Sequence, residues 1–193
     1  MHRLTDWMAC AGPGASRWAA SRATRGHEAL CEPVTQIDPL RLPEAMPDVR
    51  PDLIVALSQH AVSAYLANYS KPAHAGALAL AIGPATAAGL VEHGSLRVRI
   101  ADPANSEGLL AMSEIVALQR QHTVWLLSGE GGRDLVERSL SGRCKLIRYN
   151  LYRRSSRLPE LAPQIAFKAI WVGSVHGLQQ VDAGVEALKI DRD

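Results

Sequence analysis

Four short polar clusters each follow an apolar run. Ser58-Gln59-His60 follows Leu53–Leu57, and Gly83-Pro84-Ala85-Thr86 follows Ala77–Ile82. Asn105-Ser106-Glu107-Gly108 comes shortly after Leu96–Ile100, and Ser128-Gly129-Glu130-Gly131-Gly132 follows Thr123–Leu127. After the first cluster, Val62, Tyr65 and Leu66 stand at helical spacing, so the pattern reads as strand, tight turn, helix. Such a turn presents backbone N–H groups at the start of a helix, where a carboxylate or phosphate is favoured. Ser and Thr hydroxyls at the same place add donors, and they equally serve as simple helix caps. Gly173-Ser174-Val175-His176 repeats the first cluster near the end of the chain.

The glycine turn matches no nucleotide motif. No Lys-Ser/Thr pair follows at Walker spacing, and the third glycine of a dinucleotide fingerprint would fall on Asp134. His27-Glu28 has no second histidine at zincin spacing, so no metal site is expected.

The turns need elements to carry them. Strands are expected at 52–57, 77–82, 96–100, 123–127, 144–149 and 165–172, with helices at 61–68, 84–94 and from Asn105 or Ser106 to about Gln119, and one ending near Gly142. Ser16 caps an expected helix to about Gly26, and Leu30 to Ile37 reads as an extended segment interrupted by Pro33. Four prolines make 38–51 a turn-rich connector with room for one helical turn. Residues 153–163 read as a polar connector, and residues 1–14 show no clean period. Alternating strands and helices imply a parallel sheet with crossovers. In open α/β sheets the carboxyl ends of the strands share one edge and form the ligand crevice. Ser58, Thr86, Ser106 and the Gly129 turn are therefore expected along one cleft.

Composition narrows the class. A hydrophobic share of 47% and a charged share of 21% over 193 residues suit one globular domain or two small ones. The formal net charge of +2 gives no general attraction to nucleic acid. No apolar run approaches the ~18 residues of a membrane span. Three widely spaced cysteines form no disulfide framework, which points to a reducing cytoplasm. Six basic residues and no acid lie between Arg143 and Arg157, an expected local attraction for an acidic ligand.

Several segments, in order, resemble the uroporphyrinogen-III synthases. They are Cys31-Glu-Pro-Val-Thr-Gln-Ile-Asp-Pro-Leu40, Ala56-Leu-Ser58-Gln59-His60-Ala61-Val62, Ala81-Ile82-Gly83-Pro84-Ala85-Thr86-Ala87, Ser106-Glu107-Gly108-Leu109-Leu110, Gly129-Glu130-Gly131-Gly132-Arg133 and Tyr152-Arg153-Arg154. The second is similar to the family's Ser-x-x-Ala-Val turn and the third to its Gly-x-x-Thr-Ala turn. The resemblance implies an α/β fold of two lobes, each a parallel sheet flanked by helices. Residues 1–36 would open lobe A, 37–151 form lobe B, and 152–193 return to lobe A.

The implied reaction is cyclisation of hydroxymethylbilane, a linear tetrapyrrole polycarboxylate, with inversion of the last pyrrole through a spiro intermediate. No cofactor, metal, nucleic acid or membrane is implied, and the expected state is a cytoplasmic monomer. Loss of the substrate's hydroxyl leaves a cationic azafulvene, so a weak acid at that oxygen helps. The resemblance puts Tyr152 there, and a phenol carries a proton to donate at neutral pH. Tyr152 also reads as a hinge residue packed between lobes. Ser58, Gln59, Thr86, Ser106, Gly129, Gly131 and Ser174 are the expected carboxylate contacts, with capping as the alternative for each.

The chain departs from the family in four places. Met1 to Gly14 lacks the opening Thr-Arg-Pro strand, Ser128 stands where Arg is common, and Gly173-Ser174 lacks the preceding hydroxyl residue. The family also continues for roughly fifty residues beyond the position of Lys189. Lobe A is therefore expected to be incomplete. A non-catalytic relative that keeps lobe B as a binding or interaction module is the second reading, and a general small-anion binder the third.

Overall fold

The computed structural model describes residues 4–11, 29–41, 49–68, 77–92, 97–132, 134–156, 166–172 and 178–179. The chain divides into two compact units, one made of Met1–Ile37 with Arg154–Asp193 and the other of Asp38–Arg153.

The second unit is built on five strands: β4 (Leu53–Ala56), β5 (Leu78–Ala81), β6 (Arg97–Ile100), β7 (Thr123–Ser128) and β8 (Lys145–Asn150). They form one sheet in the order β6-β5-β4-β7-β8, and every neighbouring pair is parallel. All residues of β4 and β7 are buried, because a parallel sheet covered on both faces needs apolar side chains on both. The edge strand β6, Arg-Val-Arg-Ile, is largely exposed, and its two arginines blunt a free strand edge.

Helices α1 (Gln59–Asn68) and α2 (Pro84–Glu92) follow β4 and β5. α1 packs on β4, β7 and α2, and the close fit leaves a Cβ on Gly89 only 3.3 Å from Val62 Cγ1. The opposite face carries α3 (Ser106–Leu110), α4 (Ser113–Val116) and α5 (Leu135–Leu140). Their Leu109, Ile115, Val136 and Leu140 join Leu53, Val55, Leu80, Val124 and Leu126 of the sheet in one core. Each such side chain contributes about 1.5–3 kcal/mol by leaving water.

The expected single helix from Asn105 to Gln119 is two short ones. Met112 between them takes an extended backbone (φ −62, ψ 139) and packs on the core. Periodicity continued through the break because Leu109, Met112 and Ile115 all face inward.

The first unit contains a three-stranded parallel sheet in the order β10-β1-β2, with β1 at Leu4–Ala11, β2 at Ala29–Pro33 and β10 at Ala166–Val172. β1 is a strand in the stretch that showed no period. The helix expected from Ser16 lies outside the described residues. Pro33 does interrupt the extended segment: β2 ends there and β3 (Thr35–Pro39) begins after Val34. β3 pairs with β9 (Tyr152–Ser156) in a small antiparallel sheet. The polar connector expected from residue 153 thus begins as a strand, since a two-stranded ribbon is held by its backbone and tolerates polar side chains on both faces.

Candidate functional site

Hydrogen bonds carry the sheet one step beyond its strands. Leu57 N donates to Leu127 O at 3.0 Å, Ile82 N to Ala56 O at 3.0 Å, Ala101 N to Ala81 O at 3.0 Å and Leu151 N to Ser128 O at 2.9 Å. The five strand ends therefore form one ordered edge, roughly 19 Å long at about 4.8 Å per strand. The chain goes from β4 to β5 on one side, and later resumes at β7 on the other. That reversal opens a crevice between the β4 and β7 turns.

Ser58 and Tyr152 meet at this place. Ser58 Oγ accepts from Ala61 N at 3.1 Å, capping α1, and donates to the Tyr152 phenol oxygen at 3.1 Å. Tyr152 is 2% exposed, whereas Ser58 is half-buried. His60, two residues into the same turn, sets its ring edge-on to Tyr152, with centroids 5.7 Å apart and planes at 71°.

The glycine turn forms the seat of the tyrosine ring. A Cβ on Gly129 would stand 2.5 Å from Tyr152 Cζ, so only a residue without a side chain fits there. Glu130 N donates to Tyr152 O at 2.7 Å. Arg153 Nε donates to the Glu130 carboxylate at 2.7 Å, and this hydrogen bond holds the Glu130 carboxyl below its ordinary range. Gly131 and Gly132 have φ of 59° and 145°, backbone that a residue with Cβ adopts at a cost.

Arg148 lies behind the turn. Its Nε donates to Ser128 Oγ at 3.1 Å and Asn150 Oδ1 at 2.9 Å, its Nη2 to Gly129 O at 3.3 Å, and its Nη1 to the Glu137 carboxylate. The expected basic stretch is therefore partly neutralised: Arg148 pairs with Glu137 and Arg153 with Glu130. Arg143 donates to Ile115 O at 3.2 Å, fastening α4.

Of the residues singled out in the sequence, Ser58, Gly129 and Tyr152 come together. Gln59 is exposed beside Ser58, and Gly131 is exposed in the glycine turn. Thr86 and Ser106, 4% and 9% exposed, stand in the first turns of α2 and α3, which follow β5 and β6, one and two strands from Ser58 in the sheet order. Ser174 lies outside the described residues. The sequence reading missed His60 and Arg148 as parts of the site. His60 could have been found from its place in the Ser58-Gln59-His60 triplet. Arg148 was legible only as one of the six basic residues between Arg143 and Arg157, since its partners on β7, β8 and α5 are brought to it by the fold. Among the described residues, no group of three His, Cys, Asp or Glu could hold a metal, and no helix is long and apolar enough to cross a membrane.

An open parallel α/β sheet with polar turns at its switch point is the architecture in which small ligands bind at the strand ends. The chain belongs to the uroporphyrinogen-III synthase family: the family described as HEM4, uroporphyrinogen-III synthase HemD, matches residues 16–184. Its function is uroporphyrinogen-III synthase-like. Among solved structures, a mutant uroporphyrinogen III synthase from Thermus thermophilus shares 19% identity, with 93% of this chain and 77% of that chain covered and a TM-score of 0.60. The wild-type enzyme from the same organism shares 20% identity over 96% of this chain and 78% of that one, with a TM-score of 0.49. A further structure of the Thermus thermophilus enzyme shares 22% identity over 97% and 71%, with a TM-score of 0.46. The first likeness shows a common fold. No curated protein matches the chain.

Proposed function

We propose that the chain closes hydroxymethylbilane to uroporphyrinogen III, with Tyr152 as the acid at the departing hydroxyl. The observation that carries this reading is the Ser58–Tyr152 hydrogen bond of 3.1 Å at the switch point. On this reading the phenol donates its hydrogen to the substrate's leaving oxygen, beside the Ser58 hydroxyl 3.1 Å away. As the C–O bond breaks, the proton moves toward the departing water and charge builds on the phenol oxygen. The Ser58 hydroxyl, 3.1 Å away, donates to that charge, in a site where Tyr152 is 2% exposed.

The remaining work is to hold a polycarboxylate folded. N–H groups at the starts of α1 and α2 suit carboxylates spread along the strand-end edge. Gln59, Thr86, Ser106, Gly129 and Gly131 are the proposed contacts there. The second unit would be lobe B of the family and the first lobe A. The chain would work as a cytoplasmic monomer without cofactor or metal.

The test supplies hydroxymethylbilane, oxidises the products and separates type III from type I porphyrin. Excess type III supports the synthase. Type I alone overturns it, because that isomer forms without an enzyme, and leaves a binding module. Tyr152→Phe should lower turnover about 10²-fold while circular dichroism and melting stay near wild type. Unchanged turnover would remove Tyr152 from this role.

A further inference from the structure

We propose that Arg148 is a positioning residue for Tyr152. It acts by fixing the Ser128–Gly129 backbone on which the phenol ring rests. The inference builds on the synthase reading of Tyr152 and adds the side chain that holds the acid in place.

The geometry is specific. One guanidinium reaches four acceptors on four parts of the fold: Ser128 Oγ at the end of β7, Gly129 O in the turn, Asn150 Oδ1 at the end of β8, and Glu137 on α5. Two of these flank the peptide that seats the ring. Gly129 lacks a side chain and its Cα lies against Tyr152, where a Cβ would come within 2.5 Å of Cζ. A movement of the Gly129 peptide therefore passes directly to the phenol. The backbone on either side is tied to the same residue pair, through Leu151 N to Ser128 O and Glu130 N to Tyr152 O. Arg148 is the side chain that holds the Gly129 carbonyl from behind, and its own side chain is 27% exposed, so most of the fork is shielded from water.

Lysine cannot substitute. It keeps the charge and can still pair with Glu137, yet a single ammonium lacks the planar fork that reaches Ser128, Gly129 and Asn150 together. Arg148→Lys therefore separates a staple between β8 and α5, which it preserves, from the seat of Tyr152, which it loosens.

The experiment is a double-mutant cycle of Arg148→Lys and Tyr152→Phe, reading kcat and KM for hydroxymethylbilane. Arg148→Lys alone is expected to lower kcat about tenfold through misplacement of the acid, with KM within about twofold. In the Tyr152→Phe background it should have no further effect, since it acts through the missing hydroxyl. An equal loss in both backgrounds, or a change confined to KM, overturns the proposal. A second arm needs no turnover. The Tyr152 share of near-ultraviolet circular dichroism is taken as wild type minus Tyr152→Phe, then measured again in Arg148→Lys. Loss of that share supports positioning, and its persistence overturns it. If the wild-type chain makes no excess type III product, the synthase reading falls and the spectroscopic arm still decides the role of Arg148. Glu137→Gln, which keeps Arg148 and weakens one of its anchors, gives the same comparison should Arg148→Lys fail to fold; a smaller change in the same direction is expected, and no change counts against the proposal.

Discussion

Gly129 and Gly131 sit two residues apart and are glycines for different reasons. Gly129 is not among the glycines with positive φ; what excludes a side chain is the Tyr152 ring at 2.5 Å. Gly131 has open space around it but a φ of 59°. Alanine at each should therefore fail differently. Gly129→Ala overpacks the seat at about 1–3 kcal/mol and displaces the phenol, so both melting temperature and turnover should drop. Gly131→Ala forces a left-handed residue at about 1–2 kcal/mol, and turnover per folded molecule should fall much less. Melting curves beside the porphyrin isomer assay separate the two. Equal turnover losses would show that the turn's flexibility, and not the ring contact, is what matters. Neither reason was legible in the sequence, where both positions are simply glycine in a Gly-rich turn.

At the scale of elements, the glycine turn is fastened to β9 by Glu130, through its N–H to Tyr152 O and its carboxylate to Arg153. The Arg153 hydrogen bond, opposed by desolvation and aided by the guanidinium charge, depresses the Glu130 carboxyl below its ordinary value of 4.5. A depressed folded-state value stabilises above the unfolded value, and the effect disappears as pH falls through the folded one. The melting-temperature gap between wild type and Glu130→Gln should be open at neutral pH and close progressively below 4.5. Since the pair is exposed, added salt should narrow the gap as well. A gap that widens in acid would contradict the assignment.

The elements themselves were unevenly legible. β4, β5 and β7 were plain because a doubly covered parallel sheet writes continuous apolar runs, bounded here by Ser58, Gly83 and Gly129. β1 was hidden: Leu4 to Ala11 includes Thr5 and Asp6, and its place comes from pairing on both sides with β2 and β10. β9 was hidden for the same reason, as its Arg153 and Arg154 give no apolar period. The Ser58–Tyr152 pairing joins residues 94 positions apart. A local pattern marks each turn, but only the strand order makes them neighbours.

For the whole molecule, the asymmetry of the two units matters. The second is one continuous segment, Asp38–Arg153, with its own apolar core on the sheet. Expressed alone, that segment should melt cooperatively and show native-like far-ultraviolet circular dichroism. A non-cooperative, dye-binding state would show that its core depends on the rest of the chain. The first unit is made of the two flanking segments, so its sheet closes only across the whole inserted unit.

That central place of β1 has a consequence during translation. β1 and β2 leave the ribosome early, yet the partner on the other side of β1 begins at Ala166. At cellular elongation rates the wait is on the order of ten seconds. Throughout it the nascent chain carries an open strand edge that another polypeptide can join. Yield in the cell should therefore depend on holdase chaperones and on codon speed between the two ends of that sheet, while a pre-formed, purified molecule is indifferent to both.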